Sequence, residues 1–360
     1  MPGVGRDSIG DSFYPELGNA GYDVLHYTLD LSVDMASDTI TSSATLSANA
    51  LQDLEGFNLD FKGFTINSLE VNGTAANYTR SGHELQITPS QSLKSGQNFT
   101  VTVAYGGVPE TASEGSSLKI GWTRYSKGVY VASEPSGAAL WYPVNDHPCD
   151  KATYTLRVSV SKPYAVAANG TLQNTIEEGN LRTYIWETRD PVASYLVTVN
   201  IAEFDRQDTQ GPGGLPIRSY FPRGMEAAAR APFNRMPDMI AFFNDKFGPY
   251  PFEAYGAVVA DENIGFALET QTLSLFGRQV GNARVSSEEA IAHELAHQWF
   301  GDSVSLKTWK DIWLNEGFAT YAVAVAGAYK RAQSVRGTRR RYVQVCIRPG
   351  FPSGGQPLAG

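Results

Sequence analysis

His293-Glu294-Leu295-Ala296-His297, with Glu316 nineteen positions further on in Trp313-Leu314-Asn315-Glu316-Gly317-Phe318-Ala319, is the stretch on which the reading of this chain turns. Residues four apart share one face of a helix, so both imidazoles can reach a single metal ion. Glu294 is displaced by one residue, where its carboxylate reaches a water beside the metal without ligating. Catalytic zinc takes three protein ligands and keeps a fourth position open, and Glu316 supplies the third. The helix has marked ends. Ser286 and Glu289 form a capping box, and no breaker follows until Gly301, which predicts a helix from Ser287 to Phe300. A second helix is expected from about Asp311 past Tyr321. Composition alone makes an accidental H-E-x-x-H expected in about 1% of chains this long, before helical context or the third ligand is required.

Upstream of these helices the pattern changes twice. Tyr27, Leu29, Leu31 and Val33 alternate with polar residues, as do Ala44, Leu46 and Ala48, then Tyr154, Leu156, Val158 and Val160, and then Tyr195, Val197, Val199 and Ile201. Turns such as Val71-Asn72-Gly73 and Asn169-Gly170 separate them, so residues 1–206 read as an antiparallel β domain. Gln207–Gly214 reads as a linker or long loop. Beyond it come a helical segment near 225–246, stopped by Gly248-Pro249, and a strand around Tyr255–Ala260. Residues 207–325 form the second domain, and 326–360 a basic, Gly/Pro-rich tail.

The 360-residue chain carries a net charge of −8, which argues against nucleic acid as a partner. No stretch reaches the roughly 20 apolar residues of a membrane span. The start lacks a secretory signal, so the chain reads as cytoplasmic as written, or extracytoplasmic if its true start lies upstream. Two cysteines make no disulfide framework. Sequons occur at Asn72, Asn77, Asn98 and Asn169. Oligomeric state leaves no mark in the sequence.

From about Tyr22 to Tyr321 the chain resembles the aminopeptidase N family of gluzincin metallopeptidases, relatives of leukotriene A4 hydrolase. The likeness is nearly letter for letter in His293–Asp302 and Trp313–Ala319. It implies an α+β fold, with an N-terminal antiparallel β saddle followed by a thermolysin-like catalytic domain, incomplete at its C-terminus. It further implies one Zn2+ held by His293, His297 and Glu316. Substrates would be peptides with a free N-terminus, cleaved by a zinc-activated water that Glu294 deprotonates. The family's G-A-M-E-N segment corresponds to Phe266-Ala267-Leu268-Glu269-Thr270, which departs at three of five positions. By that register Ala267, Leu268 and Glu269 bind substrate, Glu269 holding the α-ammonium. Glu134, in Val131-Ala132-Ser133-Glu134-Pro135, is the second amine ligand. The run Asp146-His147-Pro148-Cys149-Asp150-Lys151-Ala152 supports that register.

The family's oxyanion tyrosine and C-terminal helical domain lie further along than this chain runs. After Glu316 it has seven basic residues and no acidic one, and the resemblance is expected to fade by Tyr321–Val325. Three readings follow: a zinc aminopeptidase, a truncated and impaired member that still folds and binds zinc, or a peptide- or partner-binding module. A glutamate between the two histidines disfavours the third, because structural zinc shells are closed and rich in cysteine.

Overall fold

Tyr22–Asp34 and Thr39–Ala50 pair antiparallel along their length, each burying every second side chain. In the first, Tyr27, Leu29, Leu31 and Val33 point inward, as the period of two requires. The computed structural model describes residues 3–4, 8–114, 118–281 and 285–336. Its largest sheet has eight strands, in the order 171–178, 181–187, 153–161, 22–34, 39–50, 98–107, 65–71 and 74–75. Among the described residues within 1–206, two pairs depart from the antiparallel expectation: Thr153–Ser161 lies parallel to Tyr22–Asp34, and Gly3–Val4 to Leu54–Asp60. Parallel strands need a long crossover, and the connection from Asp34 to Thr153 carries strands of two further sheets.

The first of these has the strand order 111–114, 118–125, 128–132, 199–202 and 165–168. The other pairs Gly3–Val4, Leu54–Asp60, Glu84–Thr88 and Asn77–Ser81. An aromatic core joins the layers. Tyr27 stacks on Tyr154 at 4.8 Å between centroids, and Tyr142 meets Tyr27 edge-on at 5.7 Å.

Two sequence expectations fail here. Tyr195 and Val197 are not strand residues: Ser194–Leu196 is a 3-10 turn and the strand is Val199–Ala202. The whole segment is buried, so apolar spacing there carries no information about which face is inside. Gln207–Gly214 is not a linker either. Phe204–Gln210 pairs with Pro216–Pro222, and Gly213 and Gly214, at φ 69° and 81°, turn the chain between them. Asn72 and Gly73 make the expected hairpin turn, at φ 52° and 71°. Asn169-Gly170 instead joins two different sheets. A Cβ at Gly170 would lie 1.9 Å from the Glu187 carbonyl oxygen. The Asn169 side chain is wholly buried, donating to the Leu196 and Gln271 carbonyls, so its sequon is closed in the folded chain.

The hairpin 204–222 opens a fourth sheet, in the order 204–210, 216–222, 255–259, 274–276 and 267–268. Met236–Phe247 packs Met239, Ile240 and Phe243 into the core and ends at Gly248, φ 96°. Two further helices, Ser287–His297 and Trp313–Arg336, follow the sheet. The second extends eleven residues into the segment read as tail. The rest of that tail, 337–360, lies outside the described residues.

Candidate active site

Ser286 opens the histidine helix as its sequence predicts. Its main-chain N–H donates to the Glu289 carboxylate at 2.9 Å, and its hydroxyl accepts from the Glu289 N–H at 3.3 Å. The helix stops at His297, three residues before the expected Phe300. There the Asp302 N–H turns back to the His297 carbonyl at 3.0 Å, and Gly301 takes φ 133°. This tight corner sends the chain toward the long helix Trp313–Arg336, where Phe318 stacks on Phe300 at 5.0 Å. Glu316 sits in the first turn of that helix.

Three donor atoms converge as a result. His297 Nε2 lies 3.1 Å from His293 Nε2, and Glu316 oxygens lie 3.2 Å from His293 Nε2 and 3.6 Å from His297 Nε2. Two ligands about 2.0–2.1 Å from a tetrahedral ion stand roughly 3.3 Å apart, so this triad fits zinc. His297 Nδ1 donates to the Phe300 carbonyl at 3.0 Å. A carbonyl can only accept, so the proton is on Nδ1 and the Nε2 lone pair faces the other two donors. The hydrogen bond from His293 lowers the Glu316 carboxyl below its usual range, keeping it anionic and fit to ligate.

A second group of acids meets the triad. Carboxylate oxygens of Glu269 and Glu294 and a ring nitrogen of His297 lie within 4.8 Å of one another. Glu269 is 2% exposed and its Oε1 has no hydrogen-bond partner. Burial, then the charges of Glu269, Glu316 and Glu134, push the Glu294 carboxyl well above its ordinary range. Burial and then Glu269 and Glu316 do the same to Glu134, on the loop after Gly128–Ala132. So many buried acids sharing one space call for cations among them. Beside them lies a cavity of about 640 Å³, lined by Phe266, Ala267, Phe276, Val280, His293, Glu294 and Val323.

Ala267 and Leu268 form a two-residue strand at the edge of the fourth sheet, opposite Phe276 and Leu275. Leu268 is 3% exposed with its side chain in the core, so it meets a ligand only through its main chain. The edge itself can accept an extended peptide as a further strand.

Sequence reading missed the group that ties these pieces together. Gln298, directly after His297, donates from Nε2 to the Glu269 carbonyl at 3.0 Å. Its Oε1 accepts from the Thr272 N–H at 2.8 Å and from the Tyr250 hydroxyl at 3.1 Å. One buried amide thus locks the Glu269 main chain to the histidine helix. Asp302 was also missed. It is fully buried with both carboxylate oxygens unpartnered, and its carbonyl accepts from Lys151 Nζ at 2.5 Å. Gln298 and Asp302 both lie inside the His293–Asp302 stretch that carries the family likeness, but nothing in their spacing assigned either a role.

The family models for the peptidase M1 N-terminal domain and the peptidase family M1 domain match residues 24–196 and 232–345. The second match runs beyond Val325, where the likeness was expected to fade. An M1 zinc metallopeptidase from Deinococcus radiodurans is 32% identical, with a TM-score of 0.83, covering 92% of this chain and 76% of its own. A mutant of that enzyme bound to a Tyr-Ser-Ala substrate gives 32% identity and a TM-score of 0.82, covering 91% of this chain and 77% of its own. Bovine (Bos taurus) glutamyl aminopeptidase is 27% identical over 85% of this chain and 34% of its own length. Leukotriene A-4 hydrolase of Xenopus laevis is 25% identical over 83% of this chain and 51% of its own length. The chain therefore spans about a third to a half of these curated relatives. With both domain models matched in order and a solved relative aligned across most of its length, the chain belongs to peptidase family M1.

Proposed function

We propose that this chain is a zinc aminopeptidase, removing N-terminal residues from peptides. The observation that carries this reading is the crowding of the Glu269 and Glu294 carboxylates with His297 within 4.8 Å, beside the triad of His293, His297 and Glu316. Residues 1–206 supply Glu134 in this scheme, and residues 207–325 supply the rest.

His293, His297 and Glu316 would hold the zinc, which when bound would supply Lewis-acid polarisation of the scissile carbonyl and a water of pKa about 7. Glu294 takes the proton of the attacking water and passes it to the leaving amine. Burial first, and then the neighbouring acids, raise its carboxyl, which favours its holding that proton. Glu269 and Glu134 receive the substrate α-ammonium, whose positive charge answers the acids around it. An acylated N-terminus brings no such charge and leaves those carboxylates buried and unpaired. The main chain of Ala267 and Leu268 pairs with the substrate backbone, and Gln298 keeps Glu269 in place.

Hydrolysis of leucine p-nitroanilide and of its N-acetyl derivative by the zinc-loaded chain tests this. We expect turnover of the free amine, favoured at least about 100-fold, the scale of losing a charge-assisted bond in a buried site. Equal rates on both substrates would refute the amine assignment. Peptides are the partners this reading requires, and no described helix is long and apolar enough to cross a membrane.

A further inference from the structure

Far from the triad in sequence, the four-stranded sheet holds a second group of histidine and carboxylate side chains. Asp60 ends the strand Leu54–Asp60, Glu84 begins the strand Glu84–Thr88, and the register sets them directly opposite each other. Like charges at facing positions of an antiparallel pair repel, and here both are buried: Asp60 is 0% exposed and Glu84 8%. Asp60 Oδ1 and both Glu84 oxygens have no hydrogen-bond partner. Burial, then Asp146 and Glu84, drive the Asp60 carboxyl well above its ordinary range.

His83 answers part of this charge: its contact with Glu84 above all raises the imidazole to about 9, which sets one cation against two acids. Its Nε2 lies 3.5 Å from Glu84 Oε1 and 3.7 Å from Asp60 Oδ1, while its hydrogen bond, at 2.7 Å, goes to the Glu16 carbonyl. His83 Nε2 thus stands 2.7 to 3.7 Å from three oxygens, and ligand atoms of Asp60, His83 and Glu84 all lie within 4.8 Å of one another. Neighbouring ligands around a first-row divalent ion, bound at about 2.0–2.2 Å, stand at roughly 2.8–3.5 Å. The other oxygen of Asp60 is already held, by the Asp146 N–H at 2.8 Å and Asn19 Nδ2 at 3.2 Å, which leaves Oδ1 for the side facing His83.

We propose that Asp60, His83 and Glu84, with the Glu16 carbonyl, form a second metal site for a divalent cation of the zinc type. One imidazole with three oxygens suits zinc or manganese better than calcium, which takes oxygen alone in larger number. The cation takes the lone pair of His83 Nε2, and the proton there leaves to solvent. Its two positive charges answer the Asp60 and Glu84 carboxylates. It also ties the Glu16 segment to the sheet. Five residues earlier in that segment, Asp11 accepts from the Trp309 N–H at 2.7 Å, so the strap reaches the segment that leads into the long helix.

The test is metal content of the purified full chain after equilibration with zinc alone and removal of free ion, read by elemental analysis. Two zinc ions per chain are expected for the unsubstituted protein. One is expected for His297→Ala, which breaks the triad, and one for Glu84→Gln or His83→Ala. Carrying His297→Ala and His83→Ala together should leave none. The His83 side chain is 26% exposed, so its replacement spares the fold if Glu84→Gln does not. One zinc in the unsubstituted chain, lost entirely in His297→Ala, would overturn the second site. So would His83→Ala retaining the full complement. Metal content does not depend on hydrolysis, so this result and that for aminopeptidase activity can fail separately.

Discussion

Among the described residues, the His293–His297–Glu316 cluster and the Asp60–His83–Glu84 cluster differ in how the chain assembles them. His293, His297 and Glu316 come from two helices joined by a short corner, and two of the three are four residues apart on one helix. Asp60, His83 and Glu84 meet only because two strands pair in one register, and the Glu16 carbonyl arrives from a loop. The first cluster faces a cavity of about 640 Å³ and a set of extra acids, whereas the second ties parts of the fold together. Donor chemistry is similar in both. What separates a reaction centre from an anchor is the space beside the metal and the groups waiting in it.

Removing ligands breaks the comparison most sharply. His297→Ala should lower peptide hydrolysis by about 1,000-fold or more, since the triad then has two members and the developing charge loses its stabiliser. Glu84→Gln, in the other cluster, should leave kcat within about twofold while lowering Tm, because a structural metal contributes to folding alone. Steady-state kinetics and thermal melts of both variants read this. Equal loss of activity from both would erase the distinction.

Within the active cluster, Glu269→Gln should raise KM for free-amine substrates about 10- to 100-fold, the worth of a charged hydrogen bond. Zinc content should stay the same. Gln298→Met should act on the same property more weakly, at about tenfold in kcat/KM, by releasing the Glu269 carbonyl and the Thr272 N–H. A Gln298→Met variant with unchanged preference for the free amine over its acetylated form would remove Gln298 from the amine pocket. The smallest effect belongs to the cap. Ser286→Ala should cost about 1 kcal/mol in denaturant unfolding and leave kcat unaltered, because the lost bonds are at the far end of the helix.

How far each cluster could be read in the sequence follows from its construction. Helix periodicity is a local signal, so His293-Glu-x-x-His297 and the Ser286/Glu289 box stood out before any contact was known. Glu316 was legible because its helix begins nearby and its neighbours form a specific motif. Glu269 and Glu134 needed the family likeness, since nothing in their own surroundings marks them. Asp60 and Glu84 stayed invisible because register between strands is not written at fixed spacing. The same limit explains Gln207–Gly214, where a Gly/Pro-rich turn closing a polar edge hairpin has the composition of a linker. It explains Tyr195 too, where full burial removes the contrast that alternation depends on.

The most direct test of the central claim is Glu294→Gln, assayed together with its zinc content. Gln keeps the volume and one oxygen of the side chain and cannot take a proton. The account predicts a folded protein whose triad retains its zinc and whose hydrolysis of leucine p-nitroanilide falls by about 100- to 10,000-fold, the range for losing a general base. Undiminished hydrolysis with zinc in place would contradict it.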